Sequence, residues 1–180
     1  MKLKSILMAT AIMMLTTCGL IAQNSKTLVM YFSWSGTTEK MAKMISSSNG
    51  GELFKIEPTE AYPTSYTPCT KVVKDELDKG IFRTVKAAPD FSKYDTIFVG
   101  VPVWWHTAPT LMTHFLEENK EALKDKTVIP FCTYQATYRD ETLAALTGAT
   151  PTANHKEGYG TTNPKQADID AWLKKIGVAK

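Results

Sequence analysis

Along the chain, short apolar runs alternate with stretches whose apolar residues recur every three or four positions. Thr27–Phe32 (TLVMYF) is almost wholly apolar and predicts a first strand. Thr38–Ser46 carries Met41, Met44 and Ile45 at spacings of three and four, the stripe of an amphipathic helix. Gly51–Ile56 (GELFKI) is short and alternates polar with apolar, which suits an edge strand. Pro58, Pro63 and Pro68 punctuate a turn-rich stretch that leads to a helix over Thr70–Lys79 and a loop to Ser92. Thr96–Val101 (TIFVGV) and Thr127–Cys132 (TVIPFC) are nearly continuous apolar runs, as strands covered on both faces are, although Pro130 forfeits one ladder bond. Between them Leu111, Phe115 and Leu116 mark a helix after Pro109. A short helix at 141–147 and a weak last strand within 150–158 come next. Asn163 then caps a final helix opened by Pro164, whose Ile169, Trp172, Leu173 and Ile176 fall at i, i+3, i+4 and i+7. Strand–helix alternation of this kind predicts one doubly wound α/β domain, residues 23–180, with no internal repeat or linker.

The first residues break this pattern. Lys2 and Lys4 precede an uncharged stretch, Ser5–Thr17, rich in Ile, Leu, Met and Ala. A positive start and an apolar core well short of the ~20 residues of a membrane span describe a signal peptide. Residues 1–22 are therefore expected to be removed after Ala22, with export to the periplasm or cell envelope. Leu15-Thr16-Thr17-Cys18 loosely matches a lipobox, so a lipid anchor at Cys18 is the alternative. No twin-arginine pair is present, so an exported chain would cross unfolded and acquire any cofactor outside the cytoplasm.

Composition narrows the function further. The 180 residues are 43% hydrophobic and 22% charged, which fits a soluble globular domain with a real core. Without residues 1–22, 19 basic residues face 18 acidic ones, and no basic run is longer than a pair. Such a balance favours neither nucleic acid nor a strongly acidic docking face. Cys69 and Cys132 match no metal spacing; they are two separate thiols or one disulfide.

The chemistry concentrates in Ser33-Trp34-Ser35-Gly36-Thr37-Thr38, between the first strand and the first helix. A strand-to-helix turn directs backbone N–H groups and the positive end of the helix dipole at an anion. Four hydroxyls around one glycine, with neither lysine nor arginine, suit a phosphate held by neutral donors. The phosphate-binding lysine loop and the G-x-G-x-x-G turn are both absent. An ordinary polar turn with a helix cap accounts for the same residues.

That hydroxyl-x-hydroxyl-Gly-x-Thr stretch resembles the FMN-phosphate loop of flavodoxins. Tyr94-Asp-Thr-Ile-Phe-Val-Gly-Val-Pro-Val-Trp-Trp105 resembles the family's third strand and first flavin-flanking loop, and Thr127–Thr133 its fourth strand. The closing Ile169–Gly177 is similar to its last helix, so the resemblance spans about residues 26–177. It implies a flavodoxin-like fold, a five-stranded parallel sheet in order 2-1-3-4-5 with helices on both faces and ligand at the carboxyl ends of strands one, three and four. A receiver domain shares this order but needs carboxylates where Ser33 and Trp34 stand.

The resemblance implies that Ser33, Ser35, Gly36, Thr37, Thr38 and the Trp34 backbone hold the FMN phosphate. Pro102, Val103, Trp104, Trp105 and His106 would line one side of the isoalloxazine, Trp105 stacking on it and Trp104 packing behind. Thr133, Tyr134, Gln135 and Tyr138 would stand on the other side. Two departures matter. His106 stands where relatives often carry a glycine that eases a peptide flip near flavin N5. Thr133–Asp140 also lacks the glycines relatives carry there; Tyr134 or Tyr138 could stack in compensation and Arg139 could offset charge on a reduced flavin. His114 and His155 have no partner at triad or metal spacing and read as structural or surface residues.

The resemblance thus implies an FMN-binding redox protein: an electron carrier with a partner protein, or an FMN-dependent oxidoreductase using NAD(P)H to reduce flavin or quinone. The cofactor would carry the chemistry, so no protein acid, base or nucleophile is required. The competing expectation is an exported, non-redox binding module with an altered flavin site.

Overall fold

The structure, a computed structural model, describes residues 26–179; the expected signal segment and Cys18 lie outside them. The elements are β1 (Thr27–Tyr31), α1 (Thr37–Asn49), β2 (Glu52–Lys55), α2 (Tyr66–Lys79), β3 (Thr96–Pro102), α3 (Thr110–Glu118), α4 (Lys120–Leu123), β4 (Thr127–Thr133), α5 (Arg139–Gly148), β5 (Asn154–His155), β6 (Tyr159–Thr161) and α6 (Gln166–Lys175). The sheet order is β2-β1-β3-β4 with β5 and β6 both on β4, and every pairing is parallel. β5 and β6 together fill the fifth position, which gives the doubly wound 2-1-3-4-5 arrangement.

The last strand is split for a visible reason. β5 pairs with Thr127 and Val128, β6 with Phe131, Cys132 and Thr133, and the register slips by one residue in between. Pro130 lies opposite the break and has no N–H to offer. Pairing resumes beyond it and carries the strand to Thr161, past the 150–158 stretch in which the sequence pattern places it.

Side chains alternate between two cores. Leu28, Met30 and Phe32 of the first strand run, Ile97, Val99 and Val101 of β3, and Val128 and Cys132 of β4 face α2, α3 and α5. Val29 and Tyr31, Phe98, and Ile129 and Phe131 face the other way, onto Met41 and Ile45 of α1 and Ile169, Trp172 and Leu173 of α6. Full burial of one such side chain contributes about 1.5–3 kcal/mol, so this two-sided burial holds both layers to the sheet. The fit is tight at β3, where a Cβ on Gly100 would fall 2.0 Å from the Phe131 ring.

Helix boundaries differ from the periodicity in instructive ways. α2 starts at Tyr66, so Pro68 sits in its first turn, where a missing N–H leaves no bond unmade. α6 starts at Gln166 with Lys165 as its N-cap residue, and Asn163 makes no side-chain cap. Between α2 and β3 the chain folds back on the β2–α2 loop as a short antiparallel ribbon. There Pro58 bridges Val85, Thr59 N–H donates to Thr84 O at 2.9 Å and Lys86 N–H to Glu57 O at 2.8 Å. Cys69 and Cys132 are both free and buried. Burial pushes both thiols up, that of Cys132 to about 12. No helix among the described residues is long and apolar enough to cross a membrane.

Gly100→Ala tests this packing. The added methyl would overlap the ring of the fully buried Phe131, so urea unfolding is expected to show a loss of about 1–3 kcal/mol.

Candidate functional site

β1, β3 and β4 end at one edge of the sheet, so the loops that follow them meet there. With the first turns of α2 they enclose a cavity of about 440 Å³, a size typical of small-molecule sites.

The first loop is built around Gly36, whose φ of 92° is left-handed and favours glycine; a Cβ there would meet nothing, so conformation and not clearance sets the residue. Gly36 N–H donates to Ser33 Oγ at 3.2 Å, and the Ser35 and Thr37 hydroxyls lie 3.5 Å apart. No side chain caps α1, so the N–H groups of its first turn are left for a ligand or water. Glu39, the acid in that turn, is neutralised by Lys43 at 2.6 Å and Lys55 at 3.5 Å, which hold its carboxyl below the usual range. The Thr38 hydroxyl is buried and shares a 2.8 Å hydrogen bond with the Thr133 hydroxyl.

The second loop is a tight turn. Trp104 and Thr107 exchange backbone hydrogen bonds of 2.9 and 3.1 Å, and both residues between them are left-handed, Trp105 at φ 46° and His106 at φ 71°. Paired positive φ values are the demand of a type I′ turn, which Asn and Gly meet most cheaply. The glycine expected at 106 is thus a conformational requirement that His106 meets under strain, about 1–2 kcal/mol for a residue with a Cβ. Trp104 turns inward, edge-on to Phe32 at 5.2 Å and to Tyr62 at 4.9 Å. Trp105 stays 43% exposed, its indole N–H donating to Thr70 O on α2 at 2.9 Å.

The glycine-free third loop finds its own left-handed residue in Tyr138, the N-cap residue of α5, at φ 69°. Its ring stacks on His106 with centroids 3.9 Å apart, and Val103 N–H donates to Thr133 O at 2.9 Å. The second and third loops are therefore joined at both ends. Arg139 is held by Asp140 at 2.7 Å, so its charge is already matched.

Of the residues that the sequence singles out, Trp34, Ser35, Thr37, Pro102, Val103, Trp104, Trp105, His106, Thr133, Tyr134, Gln135 and Tyr138 line this cavity. Ser33 opens onto a neighbouring groove, Gly36 onto the outer side of α1, and Thr38 is enclosed. Sequence reasoning missed the α2 wall, Tyr66, Cys69, Thr70 and Val73, along with Ala136 and Thr137. His114 stacks on Phe82 and His155 bonds Thr150, where burial lowers its pKa; neither lines the cavity. Among the described residues no group of three or more His, Cys, Asp or Glu could hold a metal ion.

An uncapped helix start bearing hydroxyls thus opens on the same cavity as the exposed rings of Trp105 and Tyr138. A family profile described as flavodoxin matches residues 26–176, and the chain belongs to that family. Among solved structures, a candidate flavoprotein from Bacteroides eggerthii is 31% identical, with a TM-score of 0.76 over 86% of this chain and 99% of its own. A flavoprotein from Lactobacillus acidophilus, solved in complex with FMN, is 24% identical, with a TM-score of 0.70 over 85% of this chain and 99% of its own. The two-electron reduced flavodoxin of Megasphaera elsdenii is 19% identical, with a TM-score of 0.53 over 82% and 98%, a likeness of fold. No curated protein matches the chain.

The strain at 106 is measurable by comparing two substitutions that both remove the imidazole. His106→Gly is expected to unfold with about 0.5–1 kcal/mol more stability than His106→Ala, the reverse of the order at an ordinary position. Alanine as the more stable variant in urea unfolding would contradict the left-handed turn.

Proposed function

We propose that the protein binds FMN and passes electrons through it. The observation that carries this reading is the convergence on one cavity of an uncapped α1 N-terminus, with the Ser35 and Thr37 hydroxyls beside it, and the exposed indole of Trp105. The residues fit the group. Neutral donors and a helix dipole stabilise a phosphate dianion without a cation, and indole and phenol rings add about 0.5–1.5 kcal/mol beyond area burial when they stack on a flat ring.

Ser35, Thr37 and the N–H groups of residues 34, 35, 37 and 38 would hold the phosphate; Gly36 N–H is committed to Ser33 Oγ, and Thr38 contributes through its backbone because its hydroxyl is committed to Thr133. Trp105, Tyr134 and Tyr138 would flank the ring, Pro102, Val103 and His106 would border it, and Trp104 would back the wall. Gln135 and Thr133 lie beside it on the third loop. Bound FMN would supply the electron acceptor and donor, and the chain would bind and orient it. The FMN complex of the Lactobacillus acidophilus protein, with its shared fold, supports the reading.

The electron source is NAD(P)H or a redox partner protein. Near-balanced charge, 19 basic against 18 acidic residues after position 22, favours the nicotinamide, since carriers that dock on partners use a strong charge to steer them. In stopped flow, NAD(P)H alone is then expected to bleach the flavin rapidly; bleaching only with an added reductase identifies a carrier. The basic start and apolar run of residues 1–22 support export, with Cys18 as a lipid-anchor alternative.

Titration of residues 23–180 with FMN, followed by flavin absorbance and tryptophan quenching, tests the reading. Micromolar or tighter binding is expected. Thr37→Ala removes one hydrogen bond to a charged group, about 1.5–3 kcal/mol, so it should weaken FMN about tenfold or more and leave riboflavin unaffected. A colourless protein that takes up no FMN contradicts the proposal and fits a non-redox binding module.

A further inference from the structure

Glu76 is only 4% exposed, on the face of α2 whose Cys69 and Val73 line the cavity. A carboxylate taken from water costs several kcal/mol unless its oxygens are paired. Both are. Tyr62 Oη donates to Oε2 at 2.9 Å, and Arg83 Nε donates to Oε1. Arg83 also donates from Nη1 to Glu60 O at 2.8 Å and lays its guanidinium 4.3 Å from the centre of the Tyr62 ring. Burial, with the Glu76 charge beside it, raises the Tyr62 phenol far above its ordinary pKa and keeps it a donor. Tyr62 and Arg83 come from the two sides of the short ribbon bridged at Pro58 and Val85.

The cluster points one way. Tyr62, held through its hydroxyl and one face, presents itself edge-on to Trp104, with centroids 4.9 Å apart and planes at 83°. Trp104 lines the cavity and is wedged in turn against Phe32 at 5.2 Å and Trp34 at 6.4 Å. Stability alone is a weak reason for such a cluster, because well-packed apolar residues in place of a buried ion pair are often as stable or more so.

We propose that Glu76, Tyr62 and Arg83 are positioning residues that fix Trp104, and through it the inner wall of the cavity, in the orientation that receives a flat ring. Identification of that ring as flavin rests on the function proposed above. Glu76 anchors the phenol, the phenol sets the indole, and the indole sets the width of the slot. A salt bridge outside the cavity lining thereby governs ligand fit without touching the ligand.

Two variants separate positioning from bulk stability. Tyr62→Phe keeps the ring and removes its tether. The triple variant Tyr62→Phe, Glu76→Met, Arg83→Met removes every charge and hydrogen bond of the cluster while keeping its volume, so its unfolding midpoint should hold. With 5-fluorotryptophan incorporated, the ¹⁹F resonance of Trp104, assigned through Trp104→Phe, is expected to shift or broaden in both variants while that of Trp172 stays. FMN should bind about tenfold more weakly to both. A Trp104 resonance unmoved in both variants, with FMN bound as tightly as by the parent, overturns the proposal. A parent protein that ignores FMN while its Trp104 resonance responds supports the positioning role and overturns the flavin reading alone.

Discussion

Two threonine hydroxyls 95 residues apart, Thr38 at the start of α1 and Thr133 at the end of β4, share a hydrogen bond of 2.8 Å. Neither can turn to water, at 1% and 5% exposure. Losing either partner would leave a buried hydroxyl unmet, at a cost of about 1–3 kcal/mol. The pair therefore fixes where the open helix end stands relative to the third loop. The parallel sheet supplies coarse alignment by bringing β1, β3 and β4 to one edge; this contact refines it. Bringing the start of α1 and the third loop onto one cavity depends on that refinement.

Around this fixed point the rim holds strain. Four non-glycine residues among the described ones have positive φ, and Trp105, His106 and Tyr138 of them line the cavity. Each costs about 1–2 kcal/mol, so three consume a sizeable share of a domain's net stability. The offsetting contacts are local: the Trp105 indole on Thr70 O, the His106–Tyr138 stack, and Val103 N–H on Thr133 O. Strain gathered at one rim and compensated there is characteristic of sites that must present side chains in fixed orientations. It also joins the two loops whose glycines are missing, so a glycine-free loop still frames a cavity.

Much of this was legible in the sequence, for a physical reason. β1, β3 and β4 are covered on both faces, and continuous apolar runs announce that. The hydroxyl loop stood out only beside the Tyr94–Trp105 stretch, because short polar residues at a strand-to-helix turn also serve as ordinary helix caps. The order of the strands came from resemblance and not from periodicity, which says nothing of neighbours in space. What stayed hidden was long-range. Cys69 and Val73 lie at helical spacing and read as core, which they also are. Glu76 sits among Lys74, Asp75 and Asp78, a run that reads as a solvated face; only Arg83 and Tyr62 folding over it reveal a buried carboxylate. Pro130 announced a weak ladder, but its consequence, a one-residue slip, falls on a strand much further along the chain.

The proposed function requires that neutral donors at an open helix end hold a dianionic phosphate. Those donors favour the doubly charged form, so they must lower the second ionisation of the bound phosphate from its value of about 6 in water. Affinity is then fully present above that value and is lost as pH falls through the lowered one. The deciding experiment follows the ³¹P resonance of FMN bound to the protein as pH is lowered from about 8 to about 5. A chemical shift that stays constant across the range is expected. A bound resonance that titrates near pH 6, as a solvent-exposed phosphate does, would mean that the helix end does not hold the dianion.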